Sequence, residues 1–576
     1  DTGTTAFNPT PDTNYEGTES ATIAISSVSG GSATENSTPQ QVAISITEYA
    51  LRLATAFTDG GNSATIASSN QFKFVQDNLE YDAGHIHPYT QMNIHKIQAF
   101  TDGSNSLRGK GQTIHIMDGG CDVAHEIYQN RISGATVTAL DSFSHGGNGG
   151  QTSAAANHCN MVATFAAGSG GNSNTTLGVA PDTSLIFSDF QDDFGDQATD
   201  IDTARGLGSD ILNNSWVFTL TKDVIQGDID ANPGSTIYEN LVRRISETAA
   251  DMETLVTAYD NFQTAGGIVV WSAGNDNTKS DTTLMNVLPY WIPSLAEAWV
   301  VVGNVQYSGS NIANETSSTN FANQGHPCGT AAPYCVTADG TGLNGAAFKS
   351  SGTNYYFTDY NVGTSFSAPM ISGGLALLKQ AFPNHTAEQI VDRMLATADN
   401  DWFTPSASTT FTTHGSGITH GYHTTWGHGI PDFHAALSPI TSNRNPASSA
   451  SSSSSSFSSS SSSGGSSSPA LALYVSNNLI NQSGRLSLNH SGLVSSSSFG
   501  SAFTAGLSNE IGYFYDILNG GFRFNFSNLF QKASPKHIDM INMLVADINR
   551  LSFSLDIDDT KNYSYAFSNV FGKVGN

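Results

Sequence analysis

Ser365 stands in Gly363-Thr364-Ser365-Phe366-Ser367-Ala368-Pro369, and a run rich in small residues follows from Met370 to Leu378. A serine at the first turn of a buried helix meets free backbone N–H groups and the positive end of the helix dipole. Those groups favour a developing negative charge, so the position suits a nucleophile. Pro369 fits the same reading, because proline is tolerated in the first helical turn and breaks a helix deeper inside. The heptapeptide also fits a capped core helix with an incidental hydroxyl, so its chemistry depends on partners elsewhere in the chain.

A serine nucleophile needs a base to take its proton, an acid to orient that base, and donors to hold an oxyanion. Each has a candidate. Asp118 ends the apolar strand Thr113-Ile114-His115-Ile116-Met117, where a parallel strand delivers side chains to the site edge of its sheet. His158 opens a helical stretch in Asn157-His158-Cys159-Asn160-Met161-Val162-Ala163. Asn275 follows the apolar strand Ile268-Val269-Val270-Trp271 in Ser272-Ala273-Gly274-Asn275, which puts its amide at a pocket rim.

The order Asp, His, Asn, Ser resembles the subtilisin-like serine proteases, the subtilase family. Landmarks accompany each block. Leu107-Arg108-Gly109-Lys110-Gly111 is similar to the family's turn before the Asp strand, and Leu177-Gly178-Val179-Ala180-Pro181 to the segment after the His helix. Leu212-Asn213-Asn214-Ser215 resembles the strand that pairs with substrate, and Gly427-His428-Gly429-Ile430-Pro431-Asp432 the closing Gly-x-Gly motif. The similarity runs from about Gln91 to Leu437. It implies an α/β fold with a parallel sheet flanked by helices. It also implies that Asp118 orients the imidazole, His158 is general base and then acid, Ser365 attacks, and the Asn275 amide with the Ser365 N–H holds the oxyanion. Asn213, Ser215, Trp216, Val217, Ser272 and Gly274 would then bind substrate.

The chain departs from the family pattern in three places. Gly119 replaces the small hydroxyl residue after the Asp, and Cys159-Asn160 replaces the Gly-Thr after the His. Both changes spare the catalytic side chains but put local packing in doubt, which leaves a weakened or inactive protease as an alternative. Cys121 and Cys159 each lie close to a triad member: they either form a disulfide tying the Asp loop to the His helix or remain two buried thiols. Beyond Ser215, Trp216-Val217-Phe218 replaces a residue followed by glycines. If Val217 stands where a pocket-lining glycine usually does, the pocket is narrowed and small or slender P1 residues are preferred. Alternatively, Trp216 to Phe218 bury themselves under the insertion that follows.

Cys328-Gly329-Thr330-Ala331-Ala332-Pro333-Tyr334-Cys335 is similar to a cysteine-bracketed loop of autotransporter subtilases at Gram-negative cell surfaces. Ser498 to Phe503, Phe514-Tyr515-Asp516 and Gly521-Phe522-Arg523-Phe524 resemble the junction such proteins place before their membrane barrel. Only 51 residues follow Asn525, too few for a barrel whose strands take about ten residues each. The barrel is therefore expected to be left out or cleaved away, or the protein to leave the cell by another route.

These residues need a scaffold, and the chain of 576 residues is long enough for a large catalytic domain with appendages. Short apolar strands alternate with helical stretches between about 91 and 440, the pattern of a parallel sheet with crossover helices. The expected strands are Thr113 to Met117, Leu185 to Phe187, Ile211 to Leu212, Ile268 to Trp271 and Val300 to Gly303. Tyr238 to Phe262 carries Ile245, Met252, Leu255, Val256 and Tyr259 at the spacing of one long helix. Residues 1–90 read as an N-terminal extension, its first forty or so an extended or disordered arm; a cleavable inhibitory propeptide is a rival reading. Ala56 to Ser63 nearly repeats as Ala99 to Ser106, a duplicated turn at most. Residues 441–470 read as a linker, since 17 of the 21 residues from Ser448 to Ser468 are serine. Residues 471–576 read as a separate α+β module, with a strand through Phe522, Phe524 and Phe526 and an amphipathic helix through Ile538, Ile541, Leu544, Val545 and Ile548.

With 49 acidic against 22 basic side chains, the formal charge is −27. Such a surface repels nucleic acid and anionic membranes, and protein or peptide substrates are the partners that the resemblance implies. No apolar run is long enough for a transmembrane helix. The absence of Met at Asp1 suggests a leader removed from or left out of this chain. The even number of cysteines, 4, with no Cys-x-x-Cys, suits an oxidising compartment. No cofactor is required by this chemistry. The spacings of His414, His420, His423, His428 and His434 match no zinc motif, and calcium, frequent in the family, is left without assigned ligands because no Asp-x-Asp-x-Asp-Gly loop occurs. The expectation is an extracellular or cell-surface serine endopeptidase; the alternative is a silent subtilase scaffold serving as an adhesin or structural protein.

Overall fold

Apolar runs without a polar face need cover on both sides, which a parallel sheet between helices provides. In the computed structural model, which describes residues 18–24, 41–47, 55–74, 86–129, 131–141, 153–170, 176–190, 193–309, 311–350, 353–357, 362–411, 418–438, 440, 511–515, 518, 520–525, 552–558 and 561–566, such runs form one sheet. Its strands are β1 (Thr113–Asp118), β2 (Val137–Ala139), β3 (Ser184–Asp189), β4 (Ile211–Asn214), β5 (Ile268–Ser272), β6 (Trp299–Tyr307), β7 (Phe321–Asn323) and β8 (Cys335–Ala338). All five expected strands are present. The α/β class and the helix-flanked parallel sheet are as the sequence implies.

Across the sheet the order is β7-β6-β5-β4-β1-β3-β2, with β8 also paired to β6. Every pairing is parallel except β6 with β7. From β1 the chain moves to one side of the sheet, and from β4 to the other. The adjacent carboxyl ends of β1 and β4 therefore flank a topological switch point, where open α/β sheets bind ligands. Asp118 ends one of these strands, and Ser215 follows the other.

Helices α1 (Ser153–Ala167), α2 (Phe194–Gly206), α3 (Ala249–Thr264), α4 (Thr364–Ala381) and α5 (Ala387–Thr397) cover the sheet. Nearly all of α4 is buried. Its small residues permit that burial: a Cβ on Gly373 would lie 2.7 Å from the Ala166 carbonyl oxygen of α1, a clash that costs about 1–3 kcal/mol when forced into a packed core. The single helix expected over 238–262 is two helices, Ile237–Val242 and α3. Two capping signals separate them. Thr236 and Glu239 form a reciprocal capping box, and the Thr248 side chain accepts from the Asp251 N–H. Pro369 is also not in the first turn. The helix starts at Thr364, so the proline lies inside it, for a reason found at the site.

Thr18–Ala24, inside the expected extended or disordered arm, pairs antiparallel with Gln41–Thr47 just beyond it. The alternation of Val42, Ile44 and Ile46 with smaller or polar residues is a strand period. Further on, Phe57 and Phe72, inside the expected extension, are buried in the same core cluster as Ile114 and Val270. The two copies of the near-repeat meet: Thr58–Asp59 pairs with Phe100–Thr101. At the other end, Ile511–Tyr515 pairs with Gly521–Asn525, and Ser552–Asp558 with Lys561–Ala566. The Phe522 ring, inside the expected C-terminal module, packs against Phe382 and Arg393. It sits 5.9 Å from the Phe382 ring and 5.8 Å from the Arg393 guanidinium, and the Thr55 N–H donates to the Gly521 carbonyl at 2.9 Å. The serine-rich linker, the Ser498 to Phe503 junction and the expected helix through Ile538 lie outside the described residues.

Candidate active site

Asp118 is 1% exposed, and its Oδ1 accepts from the His158 Nδ1–H at 2.8 Å and from the Gly119 N–H at 2.7 Å. Its other oxygen, Oδ2, is buried with no partner among the described residues. Gly119 has no hydroxyl to offer it, which is the structural consequence of the first departure from the family pattern. Burial works to lower the His158 pKa, but the charge of Asp118 and its hydrogen bond outweigh this and raise it above 6.5. Bonding through Nδ1 leaves Nε2 free to take a proton.

The second departure has partners that bind the Asp loop to the His helix. Cys121 and Cys159 form a disulfide. Asn160, one residue further, accepts at Oδ1 from the Asp122 N–H at 3.1 Å and from the Tyr128 hydroxyl at 2.9 Å, and donates from Nδ2 to the Ala347 carbonyl. Cys328 and Cys335 form the other disulfide, whose loop is held by Asp281 through the Thr330 N–H at 2.7 Å and hydroxyl at 2.8 Å.

Ser365 lies in the first turn of α4, and three N–H groups of that turn have different fates. The Thr364 N–H and hydroxyl both donate to Asn275 Oδ1 at 2.9 Å, while the Phe366 N–H goes to the Gly363 carbonyl at 3.0 Å. The Ser365 N–H has no acceptor among the described residues. Because Thr364 holds the oxygen of the Asn275 amide, its NH₂ is left available. A Cβ on Gly363 would lie 3.4 Å from Asn275 Nδ2 and 3.7 Å from the Ser365 nitrogen, which marks a space bounded by both donors. Gly274, with φ +112°, leaves room for the His326 ring, since a Cβ there would lie 2.5 Å from Nδ1.

Pro369 lacks the N–H that would close a helical bond to the Ser365 carbonyl four residues back. The Ser215 hydroxyl donates to that carbonyl instead, at 3.0 Å, and the Ser365 hydroxyl donates to the Ser215 carbonyl at 3.0 Å. The structure thus brings Asp118 to His158 and Ser215 to Ser365. It records no hydrogen bond between His158 and Ser365, although the His158 and Phe366 rings are 5.9 Å apart.

Other expected binding residues divide by exposure. Asn213 and Ser272 are 0% and 1% exposed, and their polar groups are used inside the protein, so they stand behind the site rather than at its surface. Asn213 bonds Ser215 and Ser372, and the Ser272 carbonyl accepts from Asn286. Trp216 is also buried, stacked 5.2 Å from Phe190 and edge-on 4.8 Å from Trp271, which agrees with the alternative that it buries itself. Val217 is half-buried.

Sequence reasoning passed over Asn160, Thr364, Ser372 and Asp339. Asp339 is buried and its pKa is pushed up to about 7 by burial, against hydrogen bonds from Gln91, the Tyr307 N–H and Thr341. A polar side chain inside an apolar or small-residue run was the available signal in each case. Among the remaining histidines, His420 and His428 are buried with their Nδ1 atoms 2.8 Å apart, His423 accepts from the Thr425 N–H, and His414 lies outside the described residues. Among the described residues no group of three or more His, Cys, Asp or Glu is placed to hold a metal ion, so the calcium expectation gains no ligand.

The profile of the subtilase family matches residues 109–429. Serotype-specific antigen 1 of Mannheimia haemolytica is 29% identical over 190 residues, 32% of this chain and 18% of that protein. An extracellular serine protease of Serratia marcescens is 29% identical over 141 residues, 22% of this chain and 12% of that protein. Subtilisin DY of Bacillus licheniformis is 26% identical over 306 residues, 53% of this chain and 88% of that protein. The matched stretch is thus less than a fifth of the length of the first two relatives, at 18% and 12%.

Proposed function

The chain belongs to the subtilase family of serine proteases, and from that membership we propose that it is a secreted or cell-surface endopeptidase that cuts peptide bonds through an acyl-enzyme on Ser365. The observation that carries this reading is the 2.8 Å bond from His158 Nδ1 to buried Asp118, with Nε2 left free.

Asp118 fixes the His158 tautomer and stabilises the imidazolium that forms. Substrate runs along the segment after β4, and its backbone N–H takes the Ser215 carbonyl that Ser365 Oγ otherwise occupies. The released hydroxyl turns to His158, its proton passes to Nε2, and Oγ bonds to the scissile carbonyl carbon. The displaced C=O electrons settle on oxygen, held by Asn275 Nδ2 and the Ser365 N–H. His158 gives its proton to the leaving amine as the C–N bond breaks. Water, deprotonated by His158, then attacks the ester carbon, and His158 returns that proton to Ser365 Oγ as the C–Oγ bond breaks and the acid product leaves. Each oxyanion donor of this kind is worth about 2.7–4 kcal/mol of barrier.

Trp216 buries itself, but we propose that Val217, which is only half-buried, lines and narrows the primary pocket and favours small or slender P1 residues; a peptide-library profile dominated by Phe, Tyr or Arg at P1 contradicts this. A place outside the cell is supported by the disulfides and by the names of two relatives, an extracellular serine protease and a serotype-specific antigen. No helix among the described residues is long and apolar enough to cross a membrane. The test is fluorophosphonate labelling with casein hydrolysis. Both are expected in the unaltered chain and lost in Ser365→Ala, and an unlabelled, inactive parent chain means a silent scaffold.

A further inference from the structure

Ser372 lies in α4, seven residues beyond Ser365, and is fully buried. Its one hydroxyl proton is 2.8 Å from Asn213 Oδ1, in heavy-atom distance, and 3.2 Å from the Ala368 carbonyl. The shorter bond turns the Asn213 amide so that its Nδ2 donates to Ser215 Oγ at 3.0 Å. Having accepted there, Ser215 Oγ sends its own proton to the Ser365 carbonyl, also at 3.0 Å. That carbonyl has lost its helical donor to Pro369. The chain of donors therefore runs one way, from Ser372 through Asn213 and Ser215 to the peptide that carries the nucleophile.

We propose that Ser372 is a positioning residue for Ser365, acting through Asn213 and Ser215 to fix the orientation of the Ser365 peptide and hence of its oxyanion-facing N–H. The proposal rests on the reading of Ser365 as nucleophile. Its logic is a choice between two hydrogen-bond arrangements. With the Ser372 hydroxyl present, Asn213 Oδ1 is satisfied inside α4 and Ser215 is free to serve Ser365. Without that hydroxyl, Oδ1 becomes a buried acceptor with no donor, a state that costs more than an ordinary hydrogen bond returns. An amide rotation then lets Oδ1 accept from Ser215, and the Ser365 carbonyl is left bare. Asn213, Ser215 and Ser372 are at most 3% exposed, so water does not readily repair the loss.

The experiment compares Ser372→Ala, Ser372→Thr and Ser372→Cys with the parent chain for kcat, KM, thermal melting and fluorophosphonate labelling rate. Ser372→Ala is expected to lose about tenfold in kcat and in labelling rate with KM within about twofold. Ser372→Thr, which keeps the hydroxyl, is expected to recover most of that loss. Ser372→Cys keeps the volume with a weaker donor and is expected to fall between them, so it reads the relay even if the alanine variant does not fold. An unmoved kcat in Ser372→Ala or Ser372→Cys overturns the proposal, as does an equal loss in all variants, which would mean packing alone. A parent chain that is not labelled at Ser365 overturns the nucleophile reading itself, a result distinct from a labelled chain whose kcat ignores Ser372.

Discussion

Ser215 and Ser365 exchange two hydrogen bonds of 3.0 Å, each hydroxyl donating to the other's backbone carbonyl. One of these bonds is permanent scaffolding, because Pro369 leaves the Ser365 carbonyl without a helical donor. The other keeps the Ser365 hydroxyl on the Ser215 carbonyl, and in the proposed reaction it is released to His158 when substrate takes that carbonyl. In Ser215→Ala the second bond survives and the first is lost. The expected result is a fall in kcat of about tenfold with little change in KM, measured on a peptide substrate. A KM effect with kcat intact would mean that Ser215 only binds substrate.

Gly363 has an extended backbone, with φ 170°, so an added methyl is not strained there. It would, however, sit 3.4 Å from Asn275 Nδ2 and 3.7 Å from the Ser365 nitrogen, in the space assigned to the oxyanion. Gly363→Ala is expected to fold with a near-parent melting temperature and to lose kcat. Asn275→Ala is expected to lose about 10²–10³ in kcat with KM nearly constant. Full activity in both variants would remove the oxyanion assignment.

His158 is a base only when neutral, so activity should rise as pH climbs through its pKa. Burial alone lowers that pKa, and the charge and hydrogen bond of Asp118 raise it above 6.5. Asp118→Asn removes both raising causes and leaves burial. Its acid limb in kcat/KM is therefore expected at lower pH than the parent's, while the plateau falls by up to roughly 10⁴-fold. An acid limb that stays in place would show that another group sets it.

The strands and the order of the catalytic blocks were legible in the sequence because each rests on a local pattern. Thr113 to Met117 carries Ile114, Ile116 and Met117 in a short strand-favouring run, and Asp118 follows it directly. Tyr238 to Phe262 misled because helical spacing continues across a break that only the capping by Thr236 and Thr248 reveals. The roles of Asn160 and Ser372 depend on partners far away in the chain, Ala347 for one and Asn213 for the other. The burial of Asn213 and Ser272 was hidden for the same reason. Their types and positions fit a substrate wall, but burial behind it depends on how α4 and the segment around Asn286 pack.

The Cys121–Cys159 disulfide closes a loop of 38 residues between the Asp turn and the His helix. A cross-link of that span restricts the unfolded chain by about 3–4 kcal/mol in the loop-entropy account. It also joins the two elements whose side chains meet at the 2.8 Å Asp118–His158 bond. Both disulfides predict no free thiols in the denatured, unreduced chain and 4 after reduction. Cys121→Ser with Cys159→Ser is expected to lower the melting temperature and to reduce kcat more than KM, because hydrogen bonds then tie the helix to the turn without a covalent link, that of Asn160 to Asp122 among them. Counting 4 thiols without reductant would exclude both bridges. A double variant that melts lower yet keeps its kcat would limit the bridge to stability and leave the alignment of Asp118 with His158 to Asn160.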